Sequence, residues 1–182
     1  MGRSSARRTA LLTFALVTMA GPPPARAQEQ NHPGLAVEWM AATQGRCERI
    51  ALGDLDGDGD PDLVVGNASS GSWSLWWNDG RAGFDERTEL PRSGPIGSLL
   101  VFDADRDGID DILAGVPEPN GGVYLIRGLG GRRFAGGVGT AIGLPSSRRL
   151  IAADMNGDGR LDIVGLSDGA DRTVGVAINR RG

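Results

Sequence analysis

Short apolar runs bounded by glycine, asparagine or aspartate recur along this chain: Ile50-Ala51-Leu52, Leu63-Val64-Val65-Gly66, Leu99-Leu100-Val101-Phe102, Ile112-Leu113-Ala114-Gly115, Leu150-Ile151-Ala152-Ala153 and Ile163-Val164-Gly165. Runs this short between turn residues predict strands rather than helices. A further run follows each pair. GSWSLWWNDGRAGF at 71–84 aligns without gaps on GGVYLIRGLGGRRF at 121–134, and TVGVAIN at 173–179 takes the same place in a third copy. Strand alternation sets Trp73, Leu75 and Trp77 on one face and Trp76 on the other. A fourth element is expected to begin at Gly83-Phe84 and at Arg133-Phe134.

The apolar runs are punctuated by one polar loop that occurs three times, as DLDGDGDPD at 54–62, DADRDGIDD at 103–111 and DMNGDGRLD at 154–162. A fixed period of about 50 residues makes this a repeat architecture, in which each unit buries its apolar face only against a neighbour. The predicted fold is all-β, with three four-stranded units. Gly34-Leu35 stands where the phase of Gly83-Phe84 requires it, so residues 35–182 divide into periods 35–83, 84–133 and 134–182. Each period opens on a fourth strand and ends on a third. The strand from Leu35 is therefore expected to complete the last sheet, of its own chain or of another copy.

Residues 1–27 carry a basic start, the apolar run TALLTFALVTMAG and Ala25-Arg26-Ala27, the pattern of a cleaved export signal, and 28–34 form a short tail. The expected location is periplasmic, cell-surface or secreted, by either the general or the twin-arginine route, with no membrane span after cleavage. Loss of Arg3, Arg7, Arg8 and Arg26 would leave 15 basic against 23 acidic groups, and thirteen of those acids lie in the three loops. No basic tract favours nucleic acid. Cys47 is the single cysteine, so no intrachain disulfide can form; a buried inert thiol or an intermolecular bridge are its two readings.

Position by position the loop reads D-x-[DN]-x-D-G-x-x-D. Side-chain oxygens at positions 1, 3, 5 and 9 and a backbone carbonyl at 7 supply hard ligands, while glycine at 6 permits the sharp turn. The predicted ligand sets are Asp54, Asp56, Asp58, Asp60 and Asp62; Asp103, Asp105, Asp107, Ile109 and Asp111; and Asp154, Asn156, Asp158, Arg160 and Asp162. All-oxygen sets favour Ca2+ over Zn2+, for up to three ions. An EF-hand would need Glu at position 12 and flanking helices; Val65, Ala114 and Gly165 stand there instead.

DLDGDGDPDLVVG, DADRDGIDDILAGV and DMNGDGRLDIVGL resemble the FG-GAP, or VCBS-type, repeats of integrin-α-like β-propellers. That resemblance implies a four-stranded blade per repeat, with the aspartate loop joining the first two strands around Ca2+. Members of this family carry about seven repeats and known propellers have at least four blades. Three repeats therefore imply a partial propeller or half of a six-bladed assembly of two chains.

Hydrolytic constellations are missing from the sequence, since the one histidine, His32, lies in the tail and the paired carboxylates belong to the loops. The expected class is a non-enzymatic binding module for an extracellular protein or polysaccharide. One alternative is a structural self-assembling module, with a homodimer as its simplest form. Another is a lectin-like binder using an exposed tryptophan, for which Trp77 is the candidate because it aligns with the polar Arg127.

Overall fold

The computed structural model describes residues 47–67, 72–90, 95–117, 121–135, 139–167 and 172–180. The expected export signal, His32 and the strand expected from Leu35 lie outside the described residues. Among the described residues there are eleven strands and no helix, so none long and apolar enough to cross a membrane.

Three antiparallel sheets follow one another along the chain. The first contains β1 (Cys47–Gly53), β2 (Asp62–Asn67), β3 (Trp73–Trp77) and β4 (Glu86–Leu90), in that order. The second contains β5 (Ser98–Phe102), β6 (Asp111–Val116), β7 (Gly122–Ile126) and the two-residue β8 (Thr140–Ala141). The third contains β9 (Arg149–Ala153), β10 (Asp162–Leu166) and β11 (Val174–Ala177), with β10 central. Each aspartate loop joins the first two strands of its sheet. The strand ends it connects pair in the same way each time, Gly53 with Asp62, Phe102 with Asp111 and Ala153 with Asp162.

The fourth strands start later than the sequence alignment places them. β4 begins at Glu86 rather than Phe84, and β8 at Thr140, while Phe134 makes only an isolated bridge to Gly128. A Gly-rich turn at Gly128–Gly131 has to be completed before the chain can return to the sheet, and Gly130 and Gly131 take positive φ there.

Because the three sheets share one register, each carries two cross-strand ladders of equivalent residues. On one face, the leading face, run Ala51–Val64–Leu75, Leu100–Leu113–Leu125 and Ile151–Val164–Val176. On the other, the trailing face, run Leu52–Leu63–Trp76, Val101–Ile112–Ile126 and Ala152–Ile163–Ala177. The leading face of the first sheet meets the trailing face of the second in a cluster that adds Leu55, Trp73, Trp77 and Ile96. In the same manner the leading face of the second meets the trailing face of the third, with Leu144 and Leu150.

The middle sheet is thus covered on both sides, and every residue of β6 is buried. Complete burial of Ile112 and near-complete burial of Leu113 contribute about 1.5–3 kcal/mol each relative to exposure. Close approach of the second and third sheets depends on Gly115. A methyl group there would fall far inside contact distance of the Ser147 carbonyl oxygen and the Ser98 hydroxyl, and that hydroxyl already donates to the same carbonyl at 3.1 Å.

Candidate metal centres

Each loop is folded by its own aspartates. The first carboxylate gathers backbone N–H groups: Asp54 accepts from Gly57 at 2.7 Å, Asp58 at 3.1 Å and Gly59 at 2.9 Å. Asp103 does the same for Arg106, Asp107 and Gly108, and Asp154 for Asn156, Gly157 and Gly159. The fifth position repeats as closely, since Asp58, Asp107 and Asp158 each accept from the N–H two residues on at 2.9 Å. Glycine at position 6 takes φ of +94°, +87° and +77° in the three loops, the left-handed turn expected for it. Position 4 is also left-handed, and the middle loop places Arg106 there at φ 65° where its neighbours have Gly57 and Gly157.

Asp54, Asp56 and Asp58 bring one carboxylate oxygen each to within 4.8 Å of one another, and so do Asp103, Asp105 and Asp107. Three hard, anionic oxygens converging in this way fit a divalent cation of the Ca2+ type, which takes six to eight oxygen ligands and fills the remaining places with carbonyls and water. Asp154, Asn156 and Asp158 occupy the same positions in the third loop, where the Asn156 amide nitrogen donates to Asp158 at 3.1 Å. At position 7, Asp60, Ile109 and Arg160 direct their N–H groups into the loop, the arrangement in which the side chain is free to vary.

The ninth position is built differently from the triads. Asp62, Asp111 and Asp162 are fully buried, and each uses one oxygen to hold the loop and the other to hold the chain leaving the third strand. Asp62 accepts from Leu55 at 3.1 Å and from Asn78 at 2.9 Å. Asp111 accepts from Ala104 and Gly128, and Asp162 from Met155 and Asn179. Burial dominates the titration of Asp62 and Asp111 and pushes both carboxyls up to about 6, against the lowering by these backbone bonds. These three residues lock each loop to its sheet while leaving lone pairs for a bound ion.

Cationic side chains share the triads. Arg127 pairs with Asp105 and lies 3.7 Å from Asp107, Arg132 pairs with Asp56 at 3.1 Å, and Arg160 with Asp158 at 2.8 Å. All are partly exposed pairs of small energetic weight, which a divalent ion would displace.

Consecutive loops are also joined to each other. Asp110, one residue before the buried Asp111, accepts from the Asp54 N–H at 2.9 Å and returns its own N–H to the Asp54 carbonyl at 2.9 Å. Gly131 donates to the Asp56 carbonyl. Between the second and third loops, Arg106 donates to the Gly159 carbonyl and the Asn179 amide to that of Ala104.

Trp77 departs from its expected exposure. It is 2% exposed, its indole N–H donates to Thr88 at 2.9 Å, its ring stacks on Phe134, and the Arg132 guanidinium lies 5.1 Å from the ring centre. A ring covered in this way offers no face for a sugar. The thiol of Cys47, for which a buried site was expected, belongs to an exposed residue that begins β1, 3.6 Å from Asn67 Oδ1.

Residues 54–114 match the model of the FG-GAP-like repeat family. That span is similar to an FG-GAP-type repeat. The matched span opens on Asp54 and closes in β6, so it holds the first two loops and most of the core residues packed between the first two sheets. The third loop lies beyond the match, and its first carboxylate gathers backbone N–H groups at positions 3, 4 and 6 where the first two loops use 4, 5 and 6. No curated protein matches the chain.

Proposed function

We propose that this chain is an exported, non-catalytic Ca2+-binding module that presents a propeller-type surface to an extracellular protein or polysaccharide. The observation that carries the cation reading is the convergence of the two aspartate triads on oxygens within 4.8 Å. Export rests on the sequence of residues 1–27. Asp54, Asp56 and Asp58 would hold one ion and Asp103, Asp105 and Asp107 a second, with Asp62 and Asp111 fixing the loop walls. An ion supplies charge neutralisation and stiffness, and the chemistry asked of it is structural.

Extracellular sites of this kind bind with Kd of about 10^-4 to 10^-3 M, so millimolar Ca2+ stabilises by about 1 kcal/mol per site. Thermal unfolding in millimolar Ca2+ is expected to exceed that in excess chelator by several degrees. Coincident midpoints would refute the cation reading. Mg2+ at the same concentration should give less, because it gives up its waters reluctantly and demands a tighter octahedron.

The third loop has one carboxylate fewer than the others. Asn156→Asp is expected to tighten its ion severalfold, since it replaces an amide donor toward Asp158 with a second anion. Calorimetric titration of wild type and variant measures this directly.

A further inference from the structure

The two internal interfaces are one interface used twice: a leading ladder from one sheet against a trailing ladder from the next. Among the described residues, one face of each kind remains at the two ends of the stack. The leading ladder of the third sheet is apolar throughout and largely exposed, with Ile151 61% and Val176 49% exposed, and Val174 beside them at 67%. On the trailing face of the first sheet, Leu52 is 59% and Ile50 68% exposed. Trp76 on that face is nearly buried, with the Arg87 guanidinium 5.0 Å from its ring centre.

Val176 holds the repeat position of Leu75, a core residue between the first two sheets, and of Leu125, which is partly buried against the cluster between the second and third. Leu52 holds the position of Val101 and Ala152, which pack against the preceding sheet. Each end face is therefore built to receive the other. An apolar sheet face left open is an association hazard unless covered.

We propose that a second copy of this chain covers both faces. The third sheet of each chain packs its leading face on the trailing face of the partner's first sheet, and the twofold arrangement closes after six sheets. The two contacts are related by the twofold axis and so close on themselves, and six blades fall within the four to eight of known propellers. The proposal does not rest on the cation or on any external ligand.

The test is the mass of the full chain in solution by sedimentation and native mass spectrometry, with and without Ca2+. Twice the chain mass is expected. Val176→Asp and Leu52→Asp each place a charge in both contacts of the ring, so each alone should weaken association at least about a hundredfold and give a single-mass species. Circular dichroism checks that the variants keep their sheets. Should Val176→Asp lose that signal, Val174→Lys at the more exposed neighbouring position takes its place.

A wild-type chain that stays at single mass overturns the proposal and leaves the faces to another segment or a different protein. A Leu52→Asp chain that still pairs as tightly as wild type also overturns it, because it would show the third sheets joined to each other. Chelator that abolishes a Ca2+-dependent thermal shift while leaving the doubled mass separates this assembly from the cation reading.

Discussion

Trp77→Ala is expected to lower the unfolding free energy by about 3–5 kcal/mol, the range for removing a buried tryptophan. The side chain leaves a gap between the first two sheets, where it packs with Leu75 on its own strand and with Phe134 from the neighbouring repeat. Its loss also removes the indole partner of the Thr88 hydroxyl and the ring beneath the Arg132 guanidinium, which keeps its pair with Asp56. Trp77→Phe retains most of the buried surface and should cost well under half as much. Urea denaturation followed by circular dichroism measures both. A near-neutral Trp77→Ala would return the residue to the surface role that its alignment with Arg127 implies.

Gly115→Ala is expected to cost about 3 kcal/mol, at the upper end for overpacking, because the obstacle is backbone. The added methyl would strike the Ser147 carbonyl oxygen, which no side-chain rotation can move, and the Ser98 hydroxyl bonded to that oxygen. Relief requires the second and third sheets to separate, which loosens the cluster of Leu113, Val123, Leu144, Leu150 and Ile163. The corresponding change Gly66→Ala meets mainly side-chain atoms of Ile96 and Arg49 and should be milder. Comparison of the two unfolding midpoints isolates the backbone contact from the general cost of a larger residue.

Much of this architecture was legible because its signals are local. Ligand spacing in the loops and apolar runs on either side are properties of a dozen consecutive residues, and the hydrogen bonds accepted by the Asp54, Asp103 and Asp154 carboxylates stay within that span. Alternation along 73–77 correctly set Trp73, Leu75 and Trp77 on one face. Which faces were covered was a different matter, since it depends on the neighbouring sheet. The polar Arg127 at the same place in the next repeat points Trp77 to the surface, yet Arg132 and Phe134, which follow β7, are what enclose it.

Asp110 shows the same limit from the other side. Position 8 of the loop holds Pro61, Asp110 and Leu161, so it varies like a spacer. Its two bonds to Asp54 exist only because the first two loops lie side by side. Spacing alone marks the ninth aspartates as ligands; their grip on Asn78, Gly128 and Asn179 depends on where the third strand ends.

The bonds between loops turn three local sites into a linear chain of coupled equilibria. Whatever orders the first loop through Asp54 also fixes Asp110, and so prepays part of the entropy of ordering the second; by reciprocity the second returns the same factor to the first. Among the described residues, the third loop is tied to the middle one by Arg106 at Gly159 and by Asn179, which holds Asp162 and reaches Ala104, so its share of that cooperativity passes through the middle loop. A titration of the intact chain should accordingly rise more steeply than independent sites allow, and Asp110→Ala should flatten it without removing any triad oxygen.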